Sequence, residues 1–256
     1  MGGDWGEKDM QLMDFTVTEN EKLAKDVYHI LLTPDSSLLP PVPGQFVNLA
    51  IGGFYLRRPI SVCDWDGQAL TLLYKVVGEG TKKLAQYRAG QAINAICGLG
   101  NGYTLIPARR PLLLGGGVGV PPLYYLAKEL VKAGQRPTAV LGFNTAGEAF
   151  YEAQFAALCD TVLMTADGSR GGKGFVTHAM PELAYDALYC CGPEAMLKAV
   201  YHQAQELPAG HAQFSFEARM ACGFGACMGC SCRTVTGYKR ICREGPVLAK
   251  EEILWT

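Results

Sequence analysis

Charged residues are scarce in this chain, and neither sign is in excess. They make up 18% of the 256 residues, with 23 Lys and Arg against 24 Asp and Glu. A protein that holds nucleic acid or an anionic membrane on a basic face carries an excess of positive charge. We therefore expect neither partner. At 49% apolar residues the chain is also too apolar to remain disordered.

A long unbroken apolar run is missing as well. The longest charge-free apolar stretch, residues 111–127, is interrupted by four glycines and two prolines. A membrane-spanning helix needs about 20 mostly apolar residues, so this stretch predicts none. The opening MGGDWGEKDMQ lacks the basic and apolar regions of a secretory signal. We expect a cytoplasmic protein.

Histidine is rare, and no acid–base arrangement stands out. The sequence shows no Ser–His–Asp set and no carboxylate pair, and its four histidines have no metal-ligand spacing. They are His29, His178, His202 and His211. We predict no catalytic side chain, so any redox chemistry has to come from bound cofactors.

Cysteine, by contrast, is plentiful and unevenly placed. Five of the ten crowd into the C-terminal segment, and the others are scattered among apolar neighbours. Secreted disulfide scaffolds are short and rich in cysteine throughout, so the cluster indicates a metal site instead. The clustered residues are Cys222, Cys227, Cys230, Cys232 and Cys242.

The spacing of these cysteines favours an iron–sulfur cluster. C-x4-C-x2-C is the plant-type ferredoxin spacing for 2Fe–2S, and here a further Cys follows after eleven residues. We predict Cys222, Cys227, Cys230 and Cys242 as ligands, with Cys232 pointing away. Structural zinc and plain reduced thiols are the alternatives, although zinc sites usually use C-x2-C pairs or include histidine.

The chain divides into three parts and predicts an α+β multidomain fold. Residues 11–106 show short β-rich runs, the first at Phe15–Val17, between Pro and Gly turns, which is typical of an antiparallel β-barrel. In residues 107–213 strands and helices alternate, which predicts a parallel sheet covered by helices. Residues 214–256 form a small module rich in cysteine and glycine.

Two segments of the first part resemble the flavin site of the ferredoxin–NADP reductase superfamily. Arg57–Ser61, RRPIS, resembles its RxYS-type motif, in which an Arg fork matches a pyrophosphate. Residues 77–84 form a glycine loop that opens a helix, where backbone N–H groups suit a phosphate. An ordinary strand flanked by surface arginines is the alternative. Together the segments predict FAD.

Two segments of the second part resemble the nicotinamide site of the same superfamily. Residues 115–122, GGGVGVPP, follow a strand and open a helix, as a nucleotide loop requires. Residues 191–196, CGPEAM, resemble a later element of that site, and a tight strand-to-helix turn is the alternative for both. The loop 142–148 has no Arg or Lys for a 2′-phosphate, which favours NAD over NADP, although Arg170 and Lys173 could contribute.

In this order the three parts resemble the electron-transfer subunits of type B dihydroorotate dehydrogenases, over nearly the whole chain. The resemblance implies a separate FMN-containing subunit that oxidises dihydroorotate in pyrimidine synthesis. Electrons would pass through a 2Fe–2S cluster and FAD to NAD+, in a heterotetramer of two copies of each subunit. The alternatives are a diaphorase subunit for sulfite reductase, a hydrogenase or ferredoxin, and a non-catalytic flavin and iron–sulfur redox sensor.

The resemblance also implies which residues contact each cofactor. FAD would meet Arg58, Pro59, Ile60, Ser61, Leu73, Tyr74, Lys75, Gly80 and Thr81. NAD would meet Gly115, Gly116, Gly117, Gly119, Pro121, Cys191, Gly192 and Pro193. The cluster module would be the docking face, where Met220, Phe224 and Met228 either meet the partner or pack inside the module.

Overall fold

The computed structural model describes residues 10–255, and its first part is a closed barrel. Six antiparallel strands close in the order β1-β2-β5-β4-β3-β6. In β1 the side chains of Met13, Phe15 and Val17 are buried while their neighbours face outward, so the period-2 pattern fills the barrel. The elements are β1 Gln11–Ala24, β2 Val27–Pro34, β3 Phe46–Leu49, β4 Arg58–Trp65, β5 Leu70–Lys75, α1 Glu79–Leu84 and β6 Ala92–Leu99.

The second part is a mostly parallel sheet flanked by helices. Its strand order is β10-β9-β8-β7-β11-β12-β15, and chain order reverses between β7 and β11. Such a reversal opens a crevice at the carboxyl ends of the two strands, where α/β proteins bind ligands. The elements are β7 Pro111–Gly116, α2 Val120–Lys132, β8 Thr138–Phe143, α3 Glu152–Ala156, β9 Asp160–Thr165, β10 Gly172–Lys173, α4 Val176–Ala179, β11 Ala187–Cys191, α5 Glu194–Gln203 and β12 Ala212–Ser215.

The C-terminal part shares its core with this sheet. Strands β13 (Ser231–Thr234) and β14 (Gly237–Arg240) form a hairpin, and β15 (Val247–Ala249) joins the sheet antiparallel to β12. Strand β12 runs across the expected boundary at residue 213. The buried side chains of the cluster segment pack in one core with those of the sheet, which a module this small needs because it cannot bury enough apolar surface alone.

Helices long and apolar enough to cross a membrane are absent from residues 10–255. The predicted three-part arrangement of barrel, parallel sheet and C-terminal module is confirmed.

Candidate cofactor sites

The two predicted nicotinamide loops meet at the crevice between β7 and β11. A Cβ added to Gly119 would lie 2.3 Å from the carbonyl oxygen of Cys191, so only glycine lets the loops approach this closely. A Cβ on Gly116 or Gly192 would lie 2.5 Å or 2.6 Å from Met196 side-chain atoms. The close packing of the two loops therefore explains these glycines and shapes the floor of the crevice.

The remaining predicted nucleotide residues border the same crevice. Gly117 adopts a left-handed φ of +53° and faces open space, so its backbone is accessible to a ligand. Gly115 and Pro121 are buried, and Pro193 is the exposed residue that precedes α5.

Cys191 lies in this crevice as an inert thiol. Burial raises its pKa to about 12, and the nearby Glu217 carboxylate adds to the effect. A thiol that stays protonated at neutral pH is a poor nucleophile.

The loops after β8 and β9 are tied to each other next to the crevice. The backbone N–H of Ala146 donates to Ser169 Oγ over 2.7 Å. Arg170, which the sequence left as a possible phosphate ligand, forms an ion pair with Glu152 at 2.6 Å. Its charge is therefore already partnered.

Arg58 has the geometry of an anion ligand. Its guanidinium lies against the backbone of Gly80, where an added Cβ would be 2.5 Å from Nε, and it lies 5.1 Å from the centroid of the Phe54 ring. Nη1 donates to the carbonyls of Leu56 and Arg57, whereas Nε and Nη2 donate to no acceptor within residues 10–255. Two free N–H groups beside a glycine loop fit a pyrophosphate.

The neighbouring Arg57 uses both of its terminal nitrogens within the barrel. Its Nη1 donates to the Asn48 carbonyl over 3.2 Å and its Nη2 to Asn94 Oδ1 over 2.6 Å. Of the two arginines in RRPIS, Arg58 is therefore the one with a terminal nitrogen left for a ligand.

Three predicted flavin residues use their side chains within the protein. The Tyr74 ring is 1% exposed and stacks on Tyr28, and its hydroxyl donates to Asn20 Oδ1 over 2.9 Å. The Thr81 hydroxyl donates to the Gly78 carbonyl over 3.0 Å and accepts from the Val77 N–H. Leu73 is buried against the nucleotide domain. These side chains therefore shape the barrel beside the site from within.

The other predicted flavin residues outside α1 lie on strands β4 and β5. Pro59, Ile60 and Ser61 are half-buried along β4, and Lys75 is half-buried at the end of β5. The residues from RRPIS to Thr81 thus line one continuous stretch of the barrel next to α1.

The four predicted cluster ligands form two thiol pairs. Cys222 and Cys227 are hydrogen-bonded to each other, and the Cys242 N–H donates to Cys230 Sγ over 3.4 Å. Cys222 also lies near enough to Cys242 for its charge to raise the Cys242 pKa, so the two pairs are neighbours. Two neighbouring pairs suit a two-iron cluster with two thiolates on each iron.

The electrostatics differ between two of the predicted ligands. Burial raises the pKa of Cys222, but the N–H groups of Cys227, Phe224 and Ala226 outweigh it and lower the pKa to about 6. At Cys242, burial and the adjacent Cys230 raise the pKa to about 12. Cys222 is thus prepared as a thiolate, and Cys242 needs a bound cation to become one.

Two residues outside the cysteine pattern hold the cluster loops in place. Arg240 donates to the Gly225 carbonyl over 2.8 Å and to both carboxylate oxygens of Glu244. Asn101, just after the barrel, donates to the Val247 carbonyl over 2.7 Å and accepts from the Val247 N–H. Glu244 follows the last predicted ligand, Cys242, by two residues, whereas nothing in the sequence near Asn101 marks it.

The cluster loop is exposed on one side. Phe224 is 39% and Met228 54% exposed, whereas Met220 packs against the shared core. The half-buried Cys232 lines a cavity of about 400 Å³ together with Glu217, Arg233 and Trp255.

Comparisons with known proteins agree with this arrangement. The family model of the iron–sulfur cluster binding domain of dihydroorotate dehydrogenase B matches residues 217–254. A dihydroorotate dehydrogenase B (NAD(+)) electron transfer subunit from Geobacillus sp. (strain WCH70) is 43% identical, covering 96% of this chain and 99% of its own length. A subunit of the same name from Fusobacterium nucleatum is 42% identical, covering 95% and 99%.

A solved structure agrees as well. A chain of an NADH-dependent reduced ferredoxin–NADP oxidoreductase superposes with a TM-score of 0.86 at 31% identity, covering 94% of this chain and 90% of that one. The resemblance expected from the motifs is confirmed. The chain belongs to the family of electron transfer subunits of dihydroorotate dehydrogenase B, an NAD(+)-linked oxidoreductase.

Proposed function

We propose that this chain carries electrons from the FMN of a catalytic subunit through a 2Fe–2S cluster and FAD to NAD+. The complete reaction is dihydroorotate + NAD+ → orotate + NADH + H+, in which two electrons leave the substrate and arrive as a hydride. A flavin exchanges one or two electrons, so it links a one-electron cluster to a two-electron nucleotide. This chain supplies the positions of the cofactors rather than the chemistry.

One observation carries the proposal. The cysteine pairs, the flavin strand β4 and the nucleotide crevice follow one another in contact across the molecule: Cys222 touches β3, β3 pairs with β4, and β5 contacts the turn Gly117–Gly119. A chain that relays electrons needs its cofactors in this sequence.

We assign the residues accordingly. Cys222, Cys227, Cys230 and Cys242 would hold the cluster, and Arg58 with the loop at Gly80 would hold the FAD pyrophosphate. The glycine loops at Gly117 and Gly192 would receive NAD. The ion pair of Arg170 with Glu152 supports NAD over NADP, since it engages one of the two cations, Arg170 and Lys173, that could meet a 2′-phosphate.

The partner is the catalytic subunit of the same enzyme, and we propose a heterotetramer with two copies of each. Exposed Phe224 and Met228 beside the cysteine pairs would lie in that interface, where the cluster would be near the partner's FMN. All ten cysteines are free thiols, which supports a reducing compartment such as the cytoplasm.

The purified chain, loaded with FAD and iron–sulfur, tests the proposal. It should reduce an artificial dye with NADH but show no dihydroorotate-dependent reduction of NAD+ until the FMN subunit is added. Oxidation of dihydroorotate by the chain alone would contradict the subunit assignment. Failure to bind FAD would contradict the relay.

A ferredoxin-linked reductase is the second candidate, because the matched oxidoreductase structure is 31% identical. Adding reduced ferredoxin in place of the FMN subunit and measuring NADH formation separates the two.

A further inference from the structure

Asn48 joins the cluster loop to the strand pair that carries the flavin motif. It is 1% exposed on β3, and its backbone pairs in register with Pro59 of β4. Its side-chain Nδ2 donates to the Cys222 carbonyl oxygen over 3.1 Å. One residue therefore touches the first cluster cysteine and lies beside the flavin strand.

Asn48 and the cluster loop are packed tightly against each other. A Cβ added to Gly223 would lie 2.3 Å from Asn48 Nδ2, and Gly223 has a left-handed φ of +79°. The loop thus reaches the barrel only because this position has no side chain. Arg57 holds the other side of the contact, since its Nη1 donates to the Asn48 carbonyl.

The side-chain amide of Asn48 lowers the stability of the barrel. Its Oδ1 is buried and has no hydrogen-bond partner within residues 10–255. A buried acceptor without a hydrogen-bond partner destabilises the fold, so an apolar residue at this position would suit the barrel better. What the amide offers in return is the hydrogen bond from its Nδ2 to the Cys222 carbonyl.

We infer that Asn48 is a positioning residue that fixes the cluster loop against the flavin strand and thereby sets the rate of electron transfer between cluster and flavin. This inference rests on the proposed function. The rate of electron tunnelling falls steeply as the gap widens, and the bond from Asn48 ties the loop to the flavin-bearing barrel, whereas Arg240 ties it only to the C-terminal part. In the physiological direction the cluster loses one electron at a time to the flavin. Two such electrons and one proton make up the hydride that NAD+ accepts.

The test uses the full chain loaded with FAD and cluster, compared at equal cofactor content. Anaerobic mixing with NADH reduces the flavin by hydride transfer, seen as bleaching, and then the cluster, seen by rapid-freeze EPR. For Asn48→Ala we expect cluster reduction to slow by about three- to tenfold, the effect of losing one hydrogen bond, with flavin reduction and the cluster's reduction potential unchanged.

Two further variants separate positioning from general damage. Asn48→Asp keeps the size but turns an acceptor toward the Cys222 carbonyl, so it should slow cluster reduction at least as much, and it serves if Asn48→Ala does not fold. Gln11→Ala removes a barrel amide that contacts Ser37 and Leu39 but neither Arg57 nor the cluster loop, and it should leave cluster reduction at the wild-type rate.

Wild-type rates in both Asn48 variants would overturn the inference. So would equal slowing of flavin and cluster reduction, or a shift in potential large enough to explain the slower rate. If NADH did not reduce the wild-type flavin at all, the proposed function would fail instead, and the two failures are distinct.

Discussion

The barrel meets its two neighbours through different kinds of contact. Toward the nucleotide domain it presents a broad apolar face, in which Cys63 and Leu73 pack with Leu123 and other core residues. Toward the cluster loops it relies on asparagine hydrogen bonds to backbone carbonyls, from Asn48 to Cys222 and from Asn101 to Val247.

The difference matches what each transfer needs. Hydride transfer requires two rings in contact at a defined angle, which a wide, well-packed interface provides. Electron transfer requires only a short gap, which a few hydrogen bonds can maintain. The apolar junction also contains one ion pair, Lys128 with Asp64 at 2.6 Å, whose side chains are 22% and 18% exposed. It links the end of the flavin strand β4 to the helix that follows the nicotinamide loop.

The largest effect should come from removing the iron–sulfur cluster, which the polar junction holds next to the barrel. Cys222→Ser or Cys242→Ser should abolish the cluster, because each removes one thiolate of a pair. Cys232→Ser is the matched control and should keep full iron and sulfide content. A complete cluster in Cys222→Ser, or its loss in Cys232→Ser, would contradict the ligand assignment.

Removing the side chain of Arg58, the proposed flavin-binding residue, should affect the apolar and the polar junction equally. Arg58→Ala should weaken FAD binding by about ten- to a hundredfold, since a charge-assisted hydrogen bond is worth about 1.5–3 kcal/mol. FAD retained after dialysis measures this, and the exposed Arg88→Ala is the control. Unchanged FAD occupancy in Arg58→Ala would rule out this position for the pyrophosphate.

Breaking the ion pair should disturb the apolar junction alone. Asp64→Asn leaves Lys128 half-buried without its partner, so the free energy of unfolding should fall by about 1–3 kcal/mol and the KM for NADH should rise. Glu129→Gln breaks a more exposed pair, with Lys132 on the same helix, and should change stability by less than about 0.5 kcal/mol. Chemical denaturation and NADH–dye kinetics provide the readouts. Equal effects of the two substitutions would show that the ion pair at the junction has no special role.

The smallest effect concerns nucleotide choice within the nucleotide domain. Glu152→Gln frees Arg170, so the KM for NADPH should fall by up to about tenfold while the KM for NADH stays nearly constant. Steady-state dye reduction with both nucleotides tests this. No gain with NADPH would mean that Arg170 lies away from the 2′-position.

The sequence predicted what local chemistry determines. The glycine loops at Gly116 and Gly192 and the cysteine spacing were readable because their residue types are required within a few positions. The length of β1 was not readable: Phe15–Val17 was expected, and the strand runs Gln11–Ala24, because its polar second half is a strand only through pairing with β2. Asn48 contacts a residue 174 positions away, so no local pattern could mark it.

The direction of a side chain was the second feature that the sequence could not predict. Tyr74 stood in a flavin-like segment, but packing on Tyr28 and the bond to Asn20 turn its ring into the barrel. The expected boundary at residue 213 also lies inside β12, because β15 returns to complete the sheet.

The central claim is that electrons must pass through the cysteine-held cluster before they reach the flavin and NAD+. The most direct measurement compares two activities of a cluster-free Cys242→Ser chain that retains FAD. NADH-driven dye reduction through the flavin should stay near the wild-type rate. In complex with the FMN subunit, dihydroorotate-dependent reduction of NAD+ should be lost. Wild-type turnover of dihydroorotate by the cluster-free complex would contradict the account.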